Sequence, residues 1–337
     1  MLWNGRPNRL AGLSQADWAW QTLGMKHLLL SAVAAASLIL PAHGAEPAPI
    51  PSPGEMAAAA AASDWIAIAP SDLLVMDLAP DAKGKTRRVV IQLMPAPFSQ
   101  GWIGNIRKLA AAHWWDGTSV NRVQDNYVAQ WGDATEKKAL PAGLAAMTES
   151  EYVVSRAGAG GWHAARAMHN SAPIIPDPYA STQALWGWPV GHGKDGELWP
   201  VHCYGAVGVG RNMSPDTGSG AELYTVIGHA PRHLDRNIAV VGRVISGIEH
   251  LSSLPRGTGA LGFYEDAAER VAIASIRVAT ELPAADQPRF EYLSTESDSF
   301  ARYADARQNR RDPFFITPAG GADICNIPVP MRPVPVK

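Results

Sequence analysis

The sequence predicts a mainly β protein: a closed antiparallel barrel with two helices, a long insert and a C-terminal extension. Three observations carry that reading. Short β-prone runs recur between residues 73 and 279, separated by turn formers. Only two stretches in that span place apolar residues at helical spacing. Proline (27), glycine (31) and tryptophan (12) are plentiful, which suits a turn-rich, strand-rich body better than a helical bundle. Many short strands with few helices between them argue for closure, which leaves no open edge.

The elements follow in order. Met25-Lys26-His27 is a basic start, residues 28–40 are apolar, and Pro41-Ala42-His43-Gly44-Ala45 offers small residues for a peptidase. The apolar run falls short of the roughly 20 residues a bilayer span needs. Residues 1–45 are therefore expected to be a leader cleaved after Gly44 or Ala45, with an uncleaved tether as the alternative. Residues 1–24 precede a better start at Met25 and have no pattern. Residues 46–64, with Pro47, Pro49, Pro51 and Pro53, lack bulky apolar periodicity and are expected to be a flexible linker. Order is expected to begin near Trp65, with the barrel domain over 65–283.

Within that domain the runs 73–78 and 88–93 flank the turn-rich segment 79–85 and read as a hairpin. Trp102, Ile103, Ile106, Leu109 and Ala110 recur at spacings of three and four, a helix with one buried face. Further strands are predicted at 119–123, 127–130, 205–209, 223–227 and 238–244. A short helix follows at 248–254, stopped by Pro255 and Gly257, and a last strand at 271–279, in which Val278 breaks the alternation. Two regions do not fit the barrel. The insert, 134–200, holds Gly158-Ala159-Gly160-Gly161 and then Trp162, Trp186, Trp188 and Trp199; so long a connection implies structure or a role of its own. The extension, 284–337, has one helical stretch over 298–308. Its Phe314-Phe315-Ile316 and Ile324-Cys325-Asn326-Ile327 are apolar enough to dock on the barrel.

Charge excludes one class of partner. Lys+Arg total 29 against Asp+Glu 31, so no basic face is indicated for nucleic acid or an anionic membrane. Cys203 and Cys325 are the only cysteines, and neither lies in a zinc-spaced motif. In an exported chain they are expected to form a disulfide tying the extension to the barrel, two buried free thiols being the alternative. His163, His169, His192 and His202 match no zinc spacing, so no metal or other cofactor is expected.

The most informative stretch is Gly117-Thr118-Ser119-Val120-Asn121-Arg122-Val123, followed by Tyr127-Val128-Ala129-Gln130-Trp131-Gly132-Asp133. It resembles the cyclophilin signature, in which a Gly-Thr-x-Phe-His-Arg-Val strand leads to Phe-Met-x-Gln-Gly-Gly-Asp. Leu234-Asp235 and Val241-Gly242-Arg243-Val244 resemble a later segment of the same family, and Gly247-Ile248-Glu249 the start of its second helix. The likeness runs from about Leu73 to Ala279, interrupted by the insert.

That resemblance implies a peptidyl-prolyl cis/trans isomerase with no cofactor. It places Arg122 on the catalytic arginine, Tyr127 and Val128 on apolar pocket residues, and Gln130 on the pocket glutamine. Gly210 and Arg211 fall along the substrate backbone, Glu222 on a second glutamine, Tyr224 on or near a pocket phenylalanine and Leu234 on a pocket leucine. Ile238 replaces a rim histidine, and His233 an aromatic residue. Taken alone, an arginine beside a strand is ordinarily a solvated charge, and Tyr127 and Val128 could be plain core; the surrounding pattern makes the case. Glu222 could pair with Arg122 or face water.

Elementary chemistry agrees. Prolyl isomerisation breaks no bond but crosses a rotational barrier of roughly 18–20 kcal/mol set by amide resonance. A catalyst needs an apolar cup for the ring and a fixed donor for the twisted amide, and a guanidinium supplies the donor. Val128 and Gln130, two apart on a strand, face one way. The expected partners are proline-containing unfolded or exported polypeptides, met by a monomer in the periplasm. The insert is expected to lie over or beside the pocket. The competing reading is a catalytically weak proline-segment binder or chaperone module, since Val128, Glu222 and Ile238 depart from the family pattern. A hydrolase finds no Gly-x-Ser-x-Gly motif to rest on.

Overall fold

The predicted hairpin is present in the computed structural model, which describes residues 49–155 and 174–335. Strand β1 (Leu73–Leu78) pairs antiparallel with β2 (Arg87–Leu93). Asp81 turns the chain between them by accepting the N–H groups of Lys83 and Lys85 at 2.9 and 2.8 Å. Both strands are apolar on both faces, and the two faces have different neighbours. Leu74, Met76, Val89 and Ile91 enter the main core, whereas Leu73, Val75 and Val90 pack outward with Ile68 and Ala279, against Phe290 and Tyr292 of the extension.

The helix Gln100–Ala111 buries Trp102, Ile103, Ile106, Leu109 and Ala110, the residues its spacing singled out. Asn105 is buried among them because its amide is satisfied: Nδ2 donates to the carbonyls of Ala145 and Ser219, and Oδ1 accepts the N–H of Ala145. Six more strands complete the barrel: β3 (Ser119–Val123), β4 (Val128–Gly132), β5 (Ala206–Val209), β6 (Leu223–Val226), β7 (Val240–Ser246) and β8 (Val271–Val278). They close in the order β5-β6-β4-β3-β8-β1-β2-β7, with β7 pairing back to β5. In β8 a register shift between Ile273 and Ser275 resets the alternation, so Ile273, Ile276 and Val278 are all buried. That bulge is why Val278 breaks phase in the sequence. A short helix, Glu249–Ser252, follows β7.

The insert has its own sheet of five short strands, ordered Val154–Ser155, Glu197–Pro200, Trp188–His192, Ser181–Leu185 and Ile175–Pro176. Trp188, Val190 and Leu198 join the barrel core rather than a separate cluster. Gly158 to Gly161, Trp162, His163 and His169 lie outside the described residues, as do residues 1–48 with the leader.

Two expectations need correction. The linker reading of 46–64 fails from Ser52 onward, where Pro53–Ala58 is a helix. Ser52 and Glu55 form a reciprocal capping box and Pro53 takes the first turn. Its alanines, which look featureless in sequence, allow close approach to the helix Asp298–Gln308, so Ala57 is buried in one cluster with Phe300, Tyr303 and Ala304. Trp65–Ala67 then pairs with Phe290–Leu293, which pairs with Met331–Pro333. The second correction concerns Phe314-Phe315-Ile316, which does not dock: Phe314 is 85% and Ile316 100% exposed. The Arg310–Asp312 ion pair, with the Arg310 guanidinium 4.3 Å from the Phe315 ring centroid, ties this loop to itself. Ile324 and Ile327 are buried instead, and Cys325 is bonded to Cys203.

A buried arginine ties the three regions together. Arg232 bonds Asp235 beside it, Asp177 of the insert and Asp323 of the extension.

Candidate active site

The hairpin of β3 and β4 builds the site. Its register sets Arg122 opposite Gln130, just past a shift between Val120 and Arg122. Nη1 of Arg122 donates to Oε1 of Gln130 at 3.1 Å, Nε donates to the Leu261 carbonyl at 2.7 Å, and Nη2 donates to Oε1 of Gln124. The guanidinium carbon also lies 5.7 Å from the Tyr127 ring centroid and 5.3 Å from that of Phe263. Partial burial pulls the Arg122 guanidinium below its usual range, with the charge retained.

Pairing of β4 with β6 puts Gln130 opposite Tyr224 and Val128 opposite Val226. Just before β6, the Glu222 carbonyl accepts the N–H of Gly210 at 2.8 Å, which brings the chain around Gly210 and Arg211 alongside. Arg211 is held there by the Asn237 carbonyl, which accepts from Nε and Nη2 at 3.1 and 3.0 Å. The turn Arg232–Leu234 and the bond from Ile238 N–H to the Leu234 carbonyl bring Leu234 and Ile238 to the rim. Every pocket residue predicted from sequence, from Arg122 to Ile238, lines one cleft of about 770 Å³. His233 stacks on Tyr127 with ring centroids 6.2 Å apart.

Glu222 does neither of the things its sequence position suggested. Its carboxyl points at Gln130, whose Nε2 donates to Oε2 at 3.4 Å, and does not pair with Arg122. Burial raises it to about 7, a rise that the bonds from Gln130 and Asn121 only partly oppose. Gln130 therefore stands between the guanidinium and a carboxyl that titrates near neutrality.

A model of the family described as cyclophilin type peptidyl-prolyl cis-trans isomerase/CLD matches residues 88–278. The chain belongs to that family. In overall fold this cyclophilin is similar to cyclophilin AquaCyp293 from Hirschia baltica, with 22% identity, a TM-score of 0.58, and coverage of 80% of this chain and 92% of that one. A cyclophilin type peptidyl-prolyl cis-trans isomerase from Cryptosporidium parvum is a more remote likeness, at 12% identity and a TM-score of 0.36 over 61% of this chain and 96% of that one. No curated protein matches.

Sequence reading missed one wall of this cyclophilin's cleft. Leu261, Phe263 and Tyr264 come from the loop after the short helix and reach the site through a bridge between Arg122 and Phe263. Gly262 permits it: its φ is +80°, and a Cβ there would lie 2.7 Å from the Gln124 Cα. The available signal was an aromatic pair inside the glycine-rich run 257–264. Asn121, adjacent to Arg122, also lines the cleft.

The insert meets its expected place beside the pocket with its first residues only. Ala134, Glu136, Lys138 and Leu140 line the cleft, but none of the insert's sheet strands does. That sheet packs on the flank of the barrel, where the Arg236 guanidinium sits 4.6 Å from the Trp199 ring centroid. Among the described residues no three His, Cys, Asp or Glu side chains are grouped to hold a metal.

Proposed function

We propose that the cleft isomerises Xaa-Pro bonds in unfolded polypeptides exported to the periplasm, and that the protein acts there as a monomer. One observation carries the reading: a half-buried guanidinium held in place beside an apolar cup of Tyr127, Val128, Tyr224, Leu234 and Ile238. Three of the guanidinium's five N–H groups are committed to Leu261, Gln130 and Gln124. The other two are free to donate to the substrate. As the prolyl amide twists, resonance is lost and the nitrogen lone pair becomes an acceptor. A donor preorganised in a desolvated cleft stabilises that state more than the planar one. The substrate backbone would run past Gly210 and Arg211, and the lack of a side chain at Gly210 lets Glu222 pack close, since a Cβ there would lie 2.9 Å from the Glu222 Cβ.

Export is supported by the leader-like residues 25–45 and by the Cys203–Cys325 bond, which suits an oxidising compartment. A second reading, proline-segment binding without turnover, draws on Glu222, which can place a charge beside Gln130. A protease-coupled isomerisation assay on the protein lacking residues 1–45 separates the two. Turnover of a cis Ala-Pro peptide that disappears with Arg122→Ala supports the enzyme. Peptide binding with no acceleration over the uncatalysed rate supports the binder. N-terminal sequencing of protein recovered from the periplasm tests the cleavage.

A further inference from the structure

Arg243 is a charge in an unusual place. It lies on β7, on a barrel wall covered by both the insert and the extension, and it is only 9% exposed. Its Nε and Nη2 donate to Gln92 Oε1 at 3.0 and 2.7 Å, and Nη1 donates to the Gly187 carbonyl at 2.6 Å. The Trp188 ring stacks 4.1 Å from the guanidinium carbon. All of these partners are neutral, and no carboxylate pairs with Arg243 among the described residues. Burial pushes the guanidinium down to about 9, so it remains a cation at neutral pH. A cation taken out of water without a counter-ion is a large unfavourable term, and natural interiors pair such groups.

Beside it is a cavity of about 280 Å³, just below the roughly 300–1,000 Å³ typical of sites for drug-sized ligands and suited to a smaller one. Its apolar wall includes Val201, Val244, Ile327, Val329 and Met331, together with the Cys203–Cys325 bond. A second guanidinium, Arg307, lies on the wall, and no acidic residue lines the cavity. None of the residues lining it lines the isomerase cleft.

We propose that this cavity binds a small aliphatic monocarboxylate of the fatty-acid type, its carboxylate meeting Arg243 and its hydrocarbon lying against Val244, Ile327 and Val329. Such a ligand supplies what the site lacks. Two N–H groups of Arg243 are uncommitted, and a carboxylate accepts two parallel donors from one guanidinium. The apolar walls, built from three separate parts of the chain, would be closed by the ligand's tail.

The test uses the full mature protein, with octanoate as the probe and octanol as its uncharged counterpart. Calorimetry is expected to give one octanoate per chain, at least tenfold tighter than octanol, with a rise in melting temperature on binding. Val329→Trp fills the cavity without touching Arg243 and is expected to abolish the octanoate heat. Arg243→Met is expected to remove the preference for octanoate over octanol. Should that variant fail to fold, the preference measured on the unaltered protein still decides. Equal affinity for octanol, unchanged octanoate binding in a folded Val329→Trp protein, or no binding at millimolar octanoate would each overturn the proposal.

Discussion

The hydroxyl of Tyr224 lies 2.9 Å from Nε2 of His202, whose Nδ1 lies 3.0 Å from the Asp235 carboxylate. The Asp235 carboxylate can only accept, so Nδ1–H donates to it and Nε2 is left to accept from the phenol. Tyr224 thus presents its ring to the cleft while its hydroxyl is tied behind the barrel wall. Gly208, its cross-strand partner, makes the room: a Cβ there would sit 2.3 Å from the phenol oxygen. Burial pushes the Tyr224 phenol well up, so it stays a donor.

His202→Leu is therefore expected to strand a buried hydroxyl and cost about 1–3 kcal/mol in urea unfolding. Adding Tyr224→Phe should recover part of that loss, because the unpaired group is then gone. A double mutant no more stable than His202→Leu alone would show that the pair does not act as a unit.

Arg122→Ala is expected to lower kcat/KM by about a hundredfold or more, the usual effect of removing one preorganised donor, with melting unchanged. Phe263→Ala removes an aromatic face from the same guanidinium and should cost about 1–2 kcal/mol of transition-state stabilisation. Near-normal turnover in a folded Arg122→Ala protein would contradict the assignment.

Glu222 predicts a pH dependence. Its folded value, about 7, lies above the ordinary 4.5. Its stabilising contribution is therefore fully present below about 4.5 and lost as pH rises through 7. Ionisation also places a negative charge behind Gln130, which strengthens the pull on the Arg122 guanidinium that the substrate would otherwise engage. Activity should bend downward above pH 7, and Glu222→Gln should flatten the profile and stabilise the protein at pH 8–9. Identical pH profiles for both proteins would exclude this role.

The Cys203–Cys325 bond closes a loop with a sequence separation of 122. The chain-entropy treatment values such a link at about 4–5 kcal/mol. Reduction should lower the urea midpoint and expose residues 298–335 to protease before the barrel opens. Simultaneous loss of both regions would mean that the extension and barrel unfold together.

Arg232→Met should be more damaging than a surface change. It leaves Asp177, Asp235 and Asp323 without their shared cation, and breaking a buried pair in this way costs about 3–5 kcal/mol. Hydrogen exchange should rise first in 175–185 and 323–327, the segments that Asp177 and Asp323 anchor.

Most of the barrel was legible because its signals are local. The hairpin 73–93, the helix beginning at residue 100 and the stretch from Gly117 to Asp133 each declare themselves by period, turn chemistry or motif. The pocket residues from Arg122 to Ile238 were likewise readable, since strand register carries a motif position to a fixed place on a barrel wall.

What the sequence by itself determined, then, was the barrel and the motif-bearing side of its cleft. Tertiary structure alone decided the rest. Pro53–Ala58 has no bulky face, and its alanines matter only because the helix Asp298–Gln308 lies against them. Phe314 and Ile316 look like core, yet the Arg310–Asp312 pair keeps their loop off the surface. Phe263 joins Arg122 across a gap of more than a hundred residues, through a glycine conformation that no hydrophobic pattern encodes. Arg243 carries no sign of burial in its own segment, and it is buried because the insert and extension cover it. Local patterns specify which elements form, whereas contacts between distant segments depend on where those elements are placed in space, and that placement settles which side chains lose water and which keep it.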